Sequence, residues 1–157
     1  MPDPRGMNVV LVEPEIHMNT GNIGRTCVGT GTTLHLVGKL GFSLDCAQIR
    51  RSGLDYWPKL DLRLHKDFEA FLGSLPAGAP LFFFSAEAPR VYWDAPFEPG
   101  SYLVFGKEST GLAAELRSRY RDRLYRVPHS DRIRSLNLSA VAAVALYEAL
   151  RRTRSPV

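Results

Sequence analysis

Y-L-V-F-G-K-E-S-T-G-L, Tyr102 to Leu112, is the stretch on which the reading of this chain turns. Four apolar residues of strand character end abruptly in F-G-x-E-x-x-G, Phe105 to Gly111, so a strand hands its backbone to a tight loop bounded by glycines. Without a Cβ, glycine lets main-chain amides come close to a flat ligand. Working outward, a second strand, Leu124 to Val127, is stopped by Pro128, and a third loop, Arg134 to Ser139, runs straight into an almost wholly apolar helix. The first turn of a helix carries N–H groups that have no partner within the helix. Three loops close in sequence therefore offer main-chain donors and acceptors, and if they converge they make one small-molecule pocket.

Upstream, M-N-V-V-L-V at Met7 to Val12 is a continuous apolar, β-branched run, the pattern of a strand buried on both faces of a parallel sheet. The loop E-P-E-I-H-M-N-T-G-N-I-G-R follows, and a helix is expected from about Asn22 to Gly29 with Asn19 or Thr20 as its N-cap. Strands at Leu34 to Val37, Asp61 to Leu64 and Leu81 to Ser85 alternate with helices near Asp45 to Arg51, Asp67 to Leu75 and Ala113 to Tyr120. Strand and helix taking turns predicts an α/β fold with a mostly parallel sheet flanked by helices. No repeat or linker interrupts it, so residues 1–157 are expected to form a single domain, with a loose leader at 1–6 and a loose tail at 153–157. The long connection Ala86 to Gly100, rich in proline and aromatics, is of a kind more often functional than idle. The closing helix, Leu138 to Leu150, is apolar on nearly every face. In so small a domain part of that surface is expected to meet a second copy of the chain, a homodimer.

Charge narrows the partners. The net charge is +4, and arginine far outnumbers lysine. The planar guanidinium donates two hydrogen bonds at once to a phosphate, which makes a nucleic acid a plausible partner. Two cysteines, Cys27 and Cys46, are not spaced as C-x-x-C and suit a reduced, cytoplasmic setting. No apolar run approaches the ~20 residues of a membrane span. Several familiar signatures fail. Gly29-Thr30-Gly31 is followed by Leu34 where a dinucleotide fingerprint needs its third glycine, and Gly106 to Thr110 lacks the spacing of a P-loop. His129, Ser130, Asp131 and Ser135 have no G-x-S-x-G elbow beside them, and His17, His35, His65 and His129 are scattered without ligand spacing, so neither hydrolysis nor a metal is expected.

What remains is the loop constellation and Arg25. It follows N-T-G-N-I-G and is expected in the first turn or two of its helix, where the positive dipole end disfavours a cation, so its reading is a guanidinium aimed at an anion or a developing oxyanion. N-T-G-N-I-G-R at Asn19 to Arg25, F-G-K-E-S-T-G at Phe105 to Gly111 and R-S-L-N-L-S at Arg134 to Ser139 together resemble the three motifs of the SPOUT superfamily of RNA 2'-O-methyltransferases. The P-E-I-H-M-N-T-G-N-I opening resembles the short branch that modifies the tRNA wobble nucleotide, the tRNA (cytidine/uridine-34 2'-O)-methyltransferases.

The resemblance spans about Met7 to Arg151 and implies more than periodicity does. It implies a C-terminal trefoil knot, S-adenosyl-L-methionine as methyl donor, a homodimer that completes the site, and a tRNA substrate held near its anticodon. Carried onto this sequence, the cofactor would lie against Phe84, Gly106, Glu108, Val127, Ser135 and Leu136, with Asn137 tying the loops together and capping the closing helix, while Arg25 would act at the ribose hydroxyl. Glu108 would orient its loop or pair with an arginine. RNA phosphates would fall to the arginines from Arg117 to Arg134 and to Arg50-Arg51. Lys107 and His129-Ser130 depart from the usual motif residues. Methylation of another tRNA position or of rRNA, and a non-catalytic RNA-binding role, are the competing readings.

Overall fold

Strands made of apolar, β-branched and aromatic residues, and helices with one apolar stripe, assemble in a computed structural model that describes residues 6–44 and 55–157. Strand β1 (Asn8–Val12) leads to α1 (His17–Thr30) and β2 (Thr33–Val37); β3 (Leu62–His65) leads to α2 (Phe68–Gly73). Then come β4 (Leu81–Phe84), β5 (Tyr102–Phe105), α3 (Ala114–Arg119), β6 (Leu124–Tyr125) and α4 (Leu138–Thr153). All strand pairs are parallel, in the order β3-β2-β1-β5-β4-β6.

Both sheet faces are covered, which is why the strands read as unbroken apolar runs. Val9, Leu11, Leu103 and Phe105 face α1 and α4, packing with Ile23, Cys27, Ala142 and Leu146. Val10, Val37, Phe83 and Val104 point the other way, onto Phe71 of α2 and Leu116 of α3. Among the described residues no helix is long and apolar enough to cross a membrane.

Most boundaries lie within a residue or two of expectation; three differ for physical reasons. Helix α1 begins at His17 rather than near Asn22, and its N-cap is Ile16, with no side-chain cap of its own. Asn19 and Thr20 are buried within the helix instead of capping it. Strand β6 stops at Tyr125 instead of Val127, because Arg126 leaves β4 and pairs with the 86–100 connection, donating to the Arg90 carbonyl at 2.8 Å and accepting from the Tyr92 amide at 2.9 Å. Helix α4 runs past Leu150 to Thr153 and is closed by Arg154 in the left-handed region. The helix expected at Asp45 to Arg51, Cys46 and the Arg50-Arg51 pair lie outside the described residues.

Candidate active site

Ligands of open parallel sheets bind beyond the carboxyl ends of the strands. There, past β5, β4 and β6, lies a cavity of about 440 Å³. Its floor includes Phe84 and Phe105, buried and stacked on each other at 4.9 Å between ring centroids. Gly106 and Gly111 form one wall; Val127, Ser135, Leu136 and Asn137 form another. The three loops picked out from the sequence therefore converge, and Phe84, Gly106, Glu108, Val127, Ser135, Leu136 and Asn137 all line this one cavity.

Gly106 has no room for a side chain. A Cβ there would stand 2.1 Å from the Gly111 carbonyl carbon and 2.2 Å from the Leu112 nitrogen. Gly111 is required for a different reason: its φ of +72° is left-handed, while the space around it is open. Its amide donates to the Lys107 carbonyl at 2.8 Å, closing the loop on itself.

Glu108 supplies the cap that α1 lacks. Its carboxylate accepts from the Glu15 and Ile16 amides, both at 2.8 Å, and from Asn19 Nδ2 at 3.2 Å. A negative charge is favourable at that end of a helix. The arrangement is reciprocal, since Glu15 accepts from the Ser109 amide at 2.9 Å and from Ser109 Oγ at 2.6 Å. Those bonds hold the Glu15 carboxyl below its usual pKa. Glu108 thus orients the loop through α1, and among the described residues no arginine pairs with it. Arg134 instead donates to the Ser109 carbonyl, pinning the third loop onto the second. Asn137 caps α4, its Oδ1 accepting from the Ser139 amide at 2.9 Å.

Arg25 stands apart. With α1 beginning at His17, it is mid-helix, so the argument from the positive dipole end does not hold. It is exposed, lies over the Tyr56 ring at 5.8 Å, and is absent from the lining of its own chain's cavity. Ile16 and Glu87 line the cavity but escaped the sequence reading, and Arg117, expected at RNA phosphates, lines it as well. Arg117 pairs with Glu87 at 2.7 Å across the rim, a contact that no local spacing announces.

The SpoU rRNA Methylase family model matches residues 6–147. The chain belongs to that family. Among SpoU relatives, the tRNA (cytidine(34)-2'-O)-methyltransferase of Burkholderia pseudomallei (strain 1106a) is 47% identical over 146 residues, 92% of this chain and 94% of that protein. A solved structure concerned with 2-OH methylation of C/U34 on tRNA is 45% identical, with a TM-score of 0.90, covering 96% of this chain and 97% of the other. An AdoMet-bound rRNA methyltransferase from Sinorhizobium meliloti is 25% identical with a TM-score of 0.85, and this chain spans 58% of its length. The SpoU match contains every cavity-lining residue, from Ile16 to Val141.

Proposed function

We propose that this chain transfers a methyl group from S-adenosyl-L-methionine to the ribose 2'-hydroxyl of tRNA nucleotide 34, a cytidine or a uridine. The observation that carries the reading is the meeting of the three loops at one cavity. A flat purine would find apolar cover there from Phe84 and Leu136 and polar partners in the loops beside them. Gly106 lets the Gly111–Leu112 backbone close directly against it, which shapes that wall of the cavity. Relatives named for this reaction, matching nearly end to end, support the same conclusion.

When bound, the cofactor supplies an electrophilic methyl on a sulfonium. The chain's own work is to bind, to align and to ease the loss of a weakly acidic proton. Alignment contributes on the order of 7 kcal/mol in favourable cases. Gly106, Val127, Ser135 and Leu136 hold the donor, and Glu108 and Asn137 fix the loops that carry them. Arg25 orients the ribose and stabilises the forming alkoxide; a guanidinium keeps its proton up to pH ~12, so it does not serve as a simple base.

Because Arg25 does not line its own chain's cavity, it is assigned to that of a second copy. Helix α1 exposes Met18, two turns before Arg25, and α4 exposes Val144 and Tyr147, apolar side chains suited to a homodimer contact. In this reading the segment after β6 is threaded as a trefoil knot, in keeping with Arg134 bonded to Ser109 and Ser135 to Leu138 lining the cavity. The enzyme acts as one domain, in the cytoplasm where tRNA is modified.

The test is to incubate the protein with total tRNA and labelled S-adenosylmethionine, then map the label. A 2'-O-methyl at nucleotide 34 is expected. Label at another nucleotide transfers the reading to that site, and no label with intact cofactor binding turns it to a non-catalytic RNA-binding protein. Light scattering checks the homodimer: Val144→Asp is expected to yield monomers without activity.

A further inference from the structure

Two groups among the described arginines differ in what holds them. Arg117, Arg119 and Arg151 are each ion-paired, with Glu87, Glu69 and Glu148 respectively. A carboxylate at that distance offsets part of each of these three charges. Arg90, Arg126 and Arg152 are bound differently. Arg90 donates to the Arg121 carbonyl at 2.7 Å and lies over the Tyr125 ring at 5.0 Å. Arg126 donates to the Ala88 and Pro89 carbonyls at 2.9 and 2.8 Å. Arg152 donates to the Trp93 carbonyl at 3.1 Å and to the Ala95 carbonyl, and lies 5.9 Å from the Phe97 ring centroid. Carbonyls and ring faces hold a guanidinium without cancelling its charge.

All three fasten the same segment, residues 88–97. That segment starts where the cavity lining leaves β4, at Ser85 to Glu87. Its own carboxylate, Asp94, forms no ion pair with them. At its centre Trp93 is 60% exposed, a large cost for an indole unless something covers it. The Trp93 backbone carbonyl accepts from Arg152, and the indole ring lies 6.2 Å from that of Tyr92. Tyr92 in turn meets Phe84 of the cavity floor edge-on at 6.5 Å. An aromatic series thus leads from the cavity to the surface and ends at exposed Trp93, in a segment that Arg90, Arg126 and Arg152 fasten without an ion pair among the described residues.

We infer that residues 88–97 form the platform for single-stranded RNA beside the reacting nucleotide, with Trp93 stacking on a nucleobase and Arg90, Arg126 and Arg152 drawing its phosphates. Stacking on an aromatic face combined with positive charge is how proteins hold single strands irrespective of sequence. The inference rests on the RNA-methyltransferase reading above and adds where the RNA lies.

The test uses the full chain carrying Trp57→Phe, so that Trp93 is the sole tryptophan. A 17-nucleotide RNA hairpin with an anticodon-type loop is the probe. Its addition is expected to quench the Trp93 fluorescence. Trp93→Ala, made in the wild-type chain, is expected to weaken RNA binding about tenfold and raise the KM for tRNA, leaving cofactor affinity and kcat unchanged. Trp93→Phe is expected to restore most of the loss. Unchanged RNA affinity in Trp93→Ala, with wild-type methylation intact, would overturn the platform and leave the enzymatic reading standing. Conversion of Trp93→Ala to a smaller species on light scattering would assign the indole to a subunit contact and overturn it too. A wild-type chain that binds cofactor but neither binds nor methylates RNA would remove the enzymatic reading itself.

Discussion

Replacing Gly106 by alanine is expected to remove cofactor binding while leaving most of the fold in place. The new Cβ would sit 2.1, 2.2 and 2.5 Å from three backbone atoms of Gly111 and Leu112. Ordinary contact begins near 3.4 Å, so the 111–112 peptide must retreat by roughly 1 Å, and no flexible side chain can yield in its place. That peptide closes the loop through the Gly111 amide and the Lys107 carbonyl, and the loop is a cavity wall. Overpacking of this kind costs about 1–3 kcal/mol of stability, and a ~1 Å displacement at a reacting site costs ~100-fold in rate. Gly111→Ala is the matched control. It meets nothing within 4 Å but forces alanine to a φ of +72°, a strain of about 1–2 kcal/mol that leaves the wall closer to its place. Calorimetric titration with S-adenosylmethionine is expected to show at least a hundredfold loss for Gly106→Ala and a loss within tenfold for Gly111→Ala, with both retaining the far-ultraviolet circular dichroism of the wild type. Wild-type affinity in Gly106→Ala would refute the assignment of this wall to the cofactor.

Arg25→Ala is expected to abolish methylation with little change in cofactor affinity. Mixed with a Gly106→Ala chain it should regain activity, because half of the mixed dimers' sites are then complete; failure to complement would place Arg25 in its own subunit's chemistry. Glu108→Gln keeps the shape but loses the charge accepting from the Glu15 and Ile16 amides. It is expected to lower stability by about 1–2 kcal/mol in urea unfolding and to weaken cofactor binding, whereas an unchanged midpoint would argue against its capping role. Stability is expected to fall with acid because of His35, whose imidazole is pushed down from 6.5 to about 4 by burial first, then by His65 and Arg63. The unfolded chain takes up that proton in the interval and the folded chain does not, so the contribution is complete above pH 6.5 and is lost as pH falls towards 4. The loss is about 3 kcal/mol. Urea midpoints at pH 7.5 and 4.5 should therefore converge for wild type and His35→Asn, and parallel lines would remove His35 as the cause.

The α/β alternation was legible in the chain because a parallel strand buried on both faces must be apolar throughout. Asn8–Val12, Leu81–Phe84 and Tyr102–Phe105 show it within a residue or so. Glycines and proline marked where those strands break into the three loops that meet at the cavity, while the individual residues Gly106, Val127 and Ser135 came from the resemblance to a known family and line that cavity. Contacts between segments distant in sequence could not be read in that way. The start of α1 was misplaced because its cap, Glu108, lies 92 residues beyond Ile16. The His35–His65 pair, 3.0 Å apart, joins strands that no ligand spacing links. The arginines looked alike in the chain, and only their three-dimensional neighbours separate those neutralised by carboxylates from those held by carbonyls. Local sequence determines where the backbone is apolar, where it turns and where a side chain is missing. Which charge meets which amide is decided only when the fold brings them together, because a hydrogen bond or an ion pair depends on distance in space and not on distance along the chain.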